Sequence, residues 1–265
     1  MIVAVAAIGL VLAGCSKEAE TSSTATTTTA ASGQPLATAA PVGAKPKTAL
    51  KAQSAVPGTT GQIAEVKSSV SKIEVFPAKD ATSVGSLPNP WLYQGNSAAK
   101  IPRVFMVKQD QGAWLEVYTG EDPTGSTTWI KAVDVDLKAA DYRVEVTLST
   151  FNLKAFKGDQ VIVDAPIAIG SGPRPSLEGL HFLNVLLQVP ADSPKYGPYA
   201  FGISAYSPDP AVREEFKGGQ MGLHGTNDPN SIGKATSNGC IRLSNENISK
   251  LATVVPIGTP IVIKA

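Results

Sequence analysis

The pattern of hydrophobic and polar residues changes sharply near residue 70. Residues 16–70 are low-complexity Ala, Thr, Ser, Pro and Lys, including TSSTATTTTAASG, with few large apolar side chains to bury. Beyond them, short apolar runs recur between Gly, Pro, Asn and Asp turn signals, a pattern typical of β-strands. The pattern therefore predicts a disordered tether at 16–70, followed by a mainly β globular part.

Residues 71–138 are predicted to form a small β-barrel domain. The runs IEVFP, IPRVFMVKQ, WLEVYTG and TTWIKAVDV indicate short strands, and no helical periodicity interrupts them. Short strands at this spacing favour a barrel, and its core is expected to contain Trp114, Val117, Trp129 and Val133. Aromatic residues in such a barrel belong to the core more often than to a ligand platform.

Residues 139–265 predict a second, β-rich domain. RVEVTLS alternates as a half-buried strand does, and NLKAFKGDQVIVDAPIAIG predicts a hairpin that turns at Gly158 and Asp159. HFLNVLLQ, QMGLHG and TPIVIKA indicate further strands. The expected fold is mainly β: a small barrel followed by a β-rich domain with one or more short helices.

One helix is predicted directly after the second cysteine. Ser244 is a suitable N-cap, and the apolar residues Ile248, Leu251 and Val254 fall on one helical face. Pro256 is expected to end the helix, because proline cannot continue the hydrogen-bond ladder.

The first fifteen residues, MIVAVAAIGLVLAGC, predict a signal peptide, because the apolar run ends in small residues and is too short to span a bilayer comfortably. Its last four residues, LAGC, resemble the lipobox of bacterial lipoproteins, in which the cysteine, here Cys15, is diacylated and becomes the mature N-terminus. We therefore expect an extracytoplasmic, lipid-anchored protein that faces the periplasm or cell wall. The alternative is an ordinary secretory signal in which Cys15 has no role. The apolar run is not preceded by the Lys or Arg that usually stands before it in a signal peptide.

Composition and charge narrow the classes of partner. A chain of 265 residues that is 43% hydrophobic and 17% charged can bury the core of one or two domains. The formal net charge is +1, and no basic stripe with interleaved aromatic residues is present. Nucleic acid is therefore a poor candidate partner, as is an anionic lipid surface.

Candidate chemistry is concentrated in HGTNDPNSIGKATSNGCIRL, which holds His224 and Cys240. If Cys15 carries lipid, Cys240 has no intramolecular disulfide partner, and a free thiol in an exported protein is unusual. A cysteine nucleophile needs a base or a positive field, and His224 is the candidate base. These residues leave two alternatives open: a catalytic pair, or a structural thiol with a turn-stabilising histidine. A zinc site is less favoured, because only Asp228 offers a third ligand.

Further residues extend this candidate site. Gly239 is expected to keep space open for an approaching carbonyl, and the N–H groups around Gly239 and Cys240 to stabilise an oxyanion. Arg242 supplies a fixed cation suited to lowering the thiol pKa or to binding a substrate carboxylate. The other histidine, His181 in EGLHFLN, is expected to be a partly buried strand residue without a catalytic role.

The segment GLHGTNDPNSIGKATSNGCIRLSNENISKL resembles the catalytic signature of the L,D-transpeptidases, the YkuD-type family. That signature is HG, a loop, then S/T-HGC, an apolar residue and Arg. YGPYAFGISAYSP and RVEVTLSTFNLKAF also resemble this family, so the similarity covers about residues 141–265. Separately, the strand order that ends in WIKAVDV resembles bacterial Src-homology-three-like domains, which often accompany cell-wall enzymes; wall binding is one role that this implies.

The family resemblance implies a reaction and residue roles. Cys240 would be the nucleophile, His224 its base, and Gly225 would orient the imidazole through its carbonyl. The oxyanion and substrate site would be shaped by Ser237, Gly239 and Arg242. The implied enzyme attacks the third residue of a peptidoglycan tetrapeptide stem, releases D-Ala and passes the acyl group to an amine acceptor. This chemistry implies no metal and no organic cofactor.

The motif departs from the family pattern at Asn238, where the family usually has histidine before Gly-Cys. Asparagine can donate a hydrogen bond or hold the loop, but it cannot carry charge near neutrality. Two alternatives to the transpeptidase follow. One is an L,D-carboxypeptidase that uses water as acceptor, and the other is a non-catalytic wall-binding lipoprotein with a degraded site.

Overall fold

Strands dominate the residues that the computed structural model describes, 56–93 and 100–265. The mainly β fold class predicted from the sequence is therefore confirmed. The signal peptide, Cys15 and tether residues 16–55 lie outside the described residues. No helix in the described part of the chain is long and apolar enough to cross a membrane.

Nine strands make up the first part of the structure. They are β1 (Gln62–Val66), β2 (Lys72–Val75), β3 (Gly85–Pro88), β4 (Trp91–Leu92), β5 (Lys100–Ile101), β6 (Val104–Asp110), β7 (Trp114–Tyr118), β8 (Thr127–Lys131) and β9 (Val135–Ala139). Five of them form an antiparallel sheet in the order β8-β7-β6-β1-β9, while β2–β3 and β4–β5 are separate two-stranded pairs. Closure of the five strands into a barrel stays a prediction.

Two expectations about this first part are wrong. Gln62–Val66, assigned to the tether, is the strand β1, which pairs with both β6 and β9 and buries Ala64 and Val66. A strand of five residues is too short to stand out in a polar background, and its partner strands are distant in sequence. Val133 is 70% exposed because it lies in a 3-10 turn after β8, and Ile130 takes the buried position instead. Val117 is buried as predicted. Trp114 and Trp129, which were also expected in the core, are half-buried.

The second part contains ten strands and two α-helices. They are β10 (Tyr142–Thr147), β11 (Asn152–Lys157), β12 (Gln160–Pro166), β13 (Ile169–Gly170), β14 (Gly179–Gln188), β15 (Tyr199–Tyr206), α1 (Pro210–Glu215), β16 (Gln220–His224), β17 (Ala235–Ser237), β18 (Ile241–Arg242), α2 (Asn245–Val254) and β19 (Pro260–Lys264). Eight strands form one sheet in the order β12-β11-β10-β19-β14-β15-β16-β18. The hairpin turn at Gly158 and Asp159 is present between β11 and β12, as predicted.

Helix α2 begins and packs largely as predicted. The Ser244 hydroxyl accepts a hydrogen bond from the Asn247 N–H at 3.3 Å, and Ile248 and Leu251 are buried against the second sheet. Val254 is 42% exposed, contrary to expectation. The helix ends there, and the chain turns so that Val255 enters the core instead.

The first sheet packs on the second through Phe182 of β14. Its ring belongs to a small cluster with Ile63, Val104 and Met106. The carbonyl of Gly120, after β7, accepts hydrogen bonds from the Tyr206 hydroxyl at 2.8 Å and the Asn184 side chain at 3.2 Å. A methyl group on Gly120 would lie 2.7 Å from Phe182, so this close contact requires glycine.

Candidate active site

The parallel pair β16–β18 brings His224 and Cys240 together. Its register sets Leu223 opposite Ile241 and His224 opposite Arg242, so that Cys240 falls beside Gly222. A methyl group built on Gly222 would lie 3.6 Å from His224 Cδ2 and 3.7 Å from Cys240 Sγ. The imidazole and the thiol therefore flank the same position, and only glycine leaves that position unfilled.

His224 is oriented by its own loop. Its Nδ1 lies 2.6 Å from the Gly225 carbonyl oxygen, so Nδ1–H donates and the lone pair of Nε2 is left to accept a proton. The Tyr196 ring packs edge-on against the imidazole, with ring centres 5.0 Å apart. Burial lowers the pKa of His224 to about 4, and the positive charges of Arg242 and Lys195 add to this effect. The imidazole is thus neutral near neutral pH.

Cys240 is a half-buried free thiol. Burial raises its pKa above the ordinary value, against smaller opposite effects from the Gly222 N–H and the charges of Arg242 and Lys195. The resting pair is therefore a neutral thiol beside a neutral imidazole, and nucleophilic attack requires transfer of the thiol proton.

Ser237 holds the turn that carries the thiol. Its hydroxyl accepts a hydrogen bond from the Gly239 N–H at 3.1 Å and donates to the Cys240 carbonyl at 2.5 Å. On the other side, the buried Ser176 hydroxyl donates to the Gly239 carbonyl at 2.8 Å. Within residues 56–93 and 100–265, nothing accepts a hydrogen bond from the Cys240 N–H. An unpaired backbone N–H of this kind can donate a hydrogen bond to an oxyanion.

Gly239 has a different function from the one expected. A methyl group at this position would lie 3.0 Å from Met221 Cε, inside the fold, and its φ is +111°. The glycine is needed for this backbone conformation and this contact, and it does not open the substrate side. Its N–H is already engaged by Ser237, so it is not an available oxyanion donor.

Arg242 and Asn238 lie on either side of the thiol in sequence. Arg242 is half-buried, and its Nε is buried with no hydrogen-bond acceptor among the described residues. Asn238 is half-buried, and its side chain takes part in no hydrogen bond found within that part of the chain. Neither side chain is committed to holding the turn.

Three residues near the site were not identified from the sequence. Lys195 and Tyr196 belong to the 3-10 turn Pro194–Tyr196. The segment that resembles the family begins at Tyr196 without indicating its role, and Lys195 lies just before it. Tyr93, next to β4, comes from the first part of the chain. Burial raises its pKa to about 12, and the negative charges of Cys240 and Tyr196 contribute further. Its approach depends on how the two sheets pack, which no local pattern reveals.

His181 lies on β14 and pairs in register with Ile261, as a buried strand residue. Burial lowers its pKa; backbone groups of Leu177, Glu178 and Ser204 oppose the shift, but none is in ordinary hydrogen-bond geometry. The expected strand position is therefore confirmed, and the side chain is buried more fully than the partial burial expected.

Asp228, the third ligand considered for zinc, caps the 3-10 turn that follows it, by accepting a hydrogen bond from the Asn230 N–H at 3.2 Å. No group of three His, Cys, Asp or Glu side chains in the described residues is placed to hold a metal ion.

Comparison with known proteins relates this site to one family. Residues 141–263 match the family model of YkuD, the L,D-transpeptidase catalytic domain. Two curated relatives are each named "Putative L,D-transpeptidase YkuD". The one from Bacillus licheniformis is 35% identical over 118 residues, which is 44% of this chain and 62% of the relative. The one from Bacillus subtilis is 32% identical over 122 residues, which is 46% of this chain and 65% of the relative.

A crystal structure of an L,D-transpeptidase from Mycobacterium tuberculosis H37Rv is similar over 61% of this chain and 90% of its own, with 13% identity and a TM-score of 0.42. The match to the two curated relatives spans less than two thirds of their length. Residues 141–263 are thus similar to the YkuD-type L,D-transpeptidase catalytic domain.

Proposed function

We propose that this protein is a peptidoglycan L,D-transpeptidase with Cys240 as its nucleophile and His224 as its base. The observation that carries the proposal is the placement of the imidazole and the thiol on either side of Gly222, with Nε2 left free by the hydrogen bond from Nδ1 to Gly225. The similarity of residues 141–263 to the family model supports the class of reaction.

The reaction has two steps. In the first, Cys240 Sγ bonds to the carbonyl carbon of the third stem residue, and the thiol proton passes to His224 Nε2. The Cys240 N–H donates to the oxyanion of the tetrahedral intermediate. The C–N bond then breaks, His224 returns the proton to the amine of the leaving D-Ala, and a thioester remains.

In the second step an amine of another stem attacks the thioester. His224 takes a proton from this amine, the new amide bond forms, and the thiolate leaves and recovers that proton. With water in place of the amine, the same steps give an L,D-carboxypeptidase.

The test uses the full chain and its Cys240→Ala variant with purified disaccharide tetrapeptide, analysed by mass spectrometry. Dimers that require Cys240 are expected and would support transpeptidation. D-Ala release without dimers would indicate the carboxypeptidase. No Cys240-dependent product, together with no covalent carbapenem adduct on the thiol, would overturn the proposal and favour a non-catalytic wall-binding protein.

We also propose that Cys15 anchors the protein to a membrane outside the cytoplasm. The support is the LAGC pattern in the sequence, since this residue lies outside the described part of the chain. A lipid-modified chain is expected in the detergent phase of a phase partition, and Cys15→Ala in the aqueous phase. Recovery of both proteins in the aqueous phase would exclude the anchor.

A further inference from the structure

Asn245, the first residue of α2, contacts the loop that orients the His224 imidazole. Its side-chain oxygen, Oδ1, accepts a hydrogen bond from the Thr226 N–H at 2.9 Å. Thr226 is buried, so its N–H needs a partner inside the fold. The helix that follows Cys240 therefore holds the residue that stands two positions after His224.

The peptide group between Gly225 and Thr226 links this hydrogen bond to His224. Its carbonyl oxygen lies 2.6 Å from His224 Nδ1, and its N–H is the one that Asn245 accepts. The group is trans and planar, so its C=O and N–H point in opposite directions. A rotation of this plane that moved the N–H away from Asn245 would therefore also turn the carbonyl away from the imidazole.

Close packing holds the Asn245 oxygen against two glycines. A methyl group on Gly225 would lie 2.4 Å from Asn245 Oδ1, and one on Gly197 would lie 2.3 Å from the same atom. Gly197 directly follows Tyr196, whose ring packs on the His224 imidazole. A side chain at either glycine would displace this oxygen, so both positions favour glycine where Asn245 enters the loop.

The backbone on the other side of His224 is fixed independently of Asn245. The His224 carbonyl accepts a hydrogen bond from the Leu243 N–H at 2.9 Å, and the Gly225 N–H donates to the Tyr199 carbonyl at 3.3 Å. Loss of the Asn245 oxygen would thus free one peptide plane and leave the strand that carries His224 paired.

The hydrogen bond at Nδ1 acts in both protonation states of His224. In the neutral ring it keeps the proton on Nδ1 and leaves the Nε2 lone pair to accept the thiol proton. In the protonated ring the Gly225 carbonyl stabilises the positive charge; burial lowers the pKa of His224, and this carbonyl opposes the shift. An N–H donated to Asn245 polarises the peptide group and makes its carbonyl a stronger acceptor.

We propose that Asn245 is a positioning residue: it holds the Gly225–Thr226 peptide plane and so keeps His224 in the tautomer that accepts a proton at Nε2. The importance of this tautomer for the reaction rests on the proposed function. The tautomer itself is a property of the folded chain and can be measured without substrate.

The test determines the tautomer of His224 by 15N NMR of the full chain near neutral pH. The chain has two histidines, so His224→Gln assigns the spectrum and His181 serves as an internal reference. The native protein is expected to show the Nδ1–H form. Asn245→Ala should lower the ratio of Nδ1–H to Nε2–H by about five- to tenfold, as the loss of one hydrogen bond would, and kcat should fall by a similar factor.

Three further variants separate positioning from general stabilisation. Asn245→Asp keeps an acceptor oxygen at the same place and should retain the tautomer and most of kcat. Asn245→Gln keeps the amide but moves its oxygen by one methylene, so it should resemble Asn245→Ala and decides the matter if that variant does not fold. Asn247→Ala removes an amide from the same turn of α2 and should change neither quantity. Circular dichroism checks that each variant is folded.

Several outcomes would overturn the inference. They are an Nε2–H form in the native protein, an unchanged tautomer in folded Asn245→Ala or Asn245→Gln, and a shift that Asn245→Asp or Asn247→Ala reproduces in full. A fall in kcat without a change of tautomer would also contradict it, because Asn245 would then act by another route. Absent turnover in the native protein would refute the proposed function, while the NMR comparison would still decide whether Asn245 sets the tautomer.

Discussion

The neutral resting state of the proposed catalytic pair, His224 and Cys240, predicts an unusual pH profile. Burial depresses the pKa of His224 to about 4 and raises that of the Cys240 thiol, so both groups stay neutral across the range between these values. The active form is then thiol plus imidazole, with the proton transferred during attack. In a preformed thiolate–imidazolium pair, by contrast, the rate would follow the formation of the ion pair.

The depressed pKa sets the size of the effect. At about pH 5.5, a pKa of about 4 leaves about 97% of His224 neutral, whereas an ordinary pKa of about 6.5 would leave about 9% neutral. The acylation rate at pH 5.5 should therefore be nearly that at pH 7.5. An unperturbed histidine would give a loss of about tenfold over the same range.

The assay is kcat/KM for D-Ala release from the tetrapeptide, which reports the ionisations of the free enzyme. Circular dichroism at each pH confirms that the protein stays folded. His181→Gln serves as the control, because that histidine lies on β14, which β15 and β16 separate from β18 in the sheet, and the change should leave the profile unaltered. A rate at pH 5.5 near one tenth of that at pH 7.5, with the fold intact, would refute the neutral-pair interpretation.

Two further predictions concern the turn that carries the thiol. Gly239→Ala should destabilise the protein by about 1–3 kcal/mol in chemical denaturation, because φ is +111° and the methyl would lie 3.0 Å from Met221. Gly233, the matched control position, also has a positive φ of +82° but has open space around it, so Gly233→Ala should lower the free energy of unfolding by less and leave acylation unchanged. An equal loss of stability in the two variants would show that the Met221 contact has no effect. Asn238→His should change kcat/KM by less than about threefold at pH 7.5, because Lys195 and Arg242 already place positive charge beside the thiol. A gain above tenfold would show that Asn238 limits the rate.

Local features of the fold were predictable because their causes are local. The Gly158–Asp159 turn follows from the residues adjacent to it. The cap at Ser244 follows from its hydroxyl, which accepts a hydrogen bond from the N–H of Asn247, only three residues further on. Boundaries and inward faces were less predictable. Val255 replaces Val254 in the core because the chain changes direction at the end of α2.

The sequence by itself determined which residues are candidates for the chemistry: a thiol, an imidazole and an arginine in a glycine-rich motif. Their relative placement was decided by the tertiary structure, since it depends on the parallel pairing of β16 with β18. The same holds for β1, whose strand character comes from partners about 40 and 70 residues away. The electrostatic influence between Cys240 and both Lys195 and Tyr93 has the same origin, because a charge acts through space and its sequence position does not show what folding brings beside it.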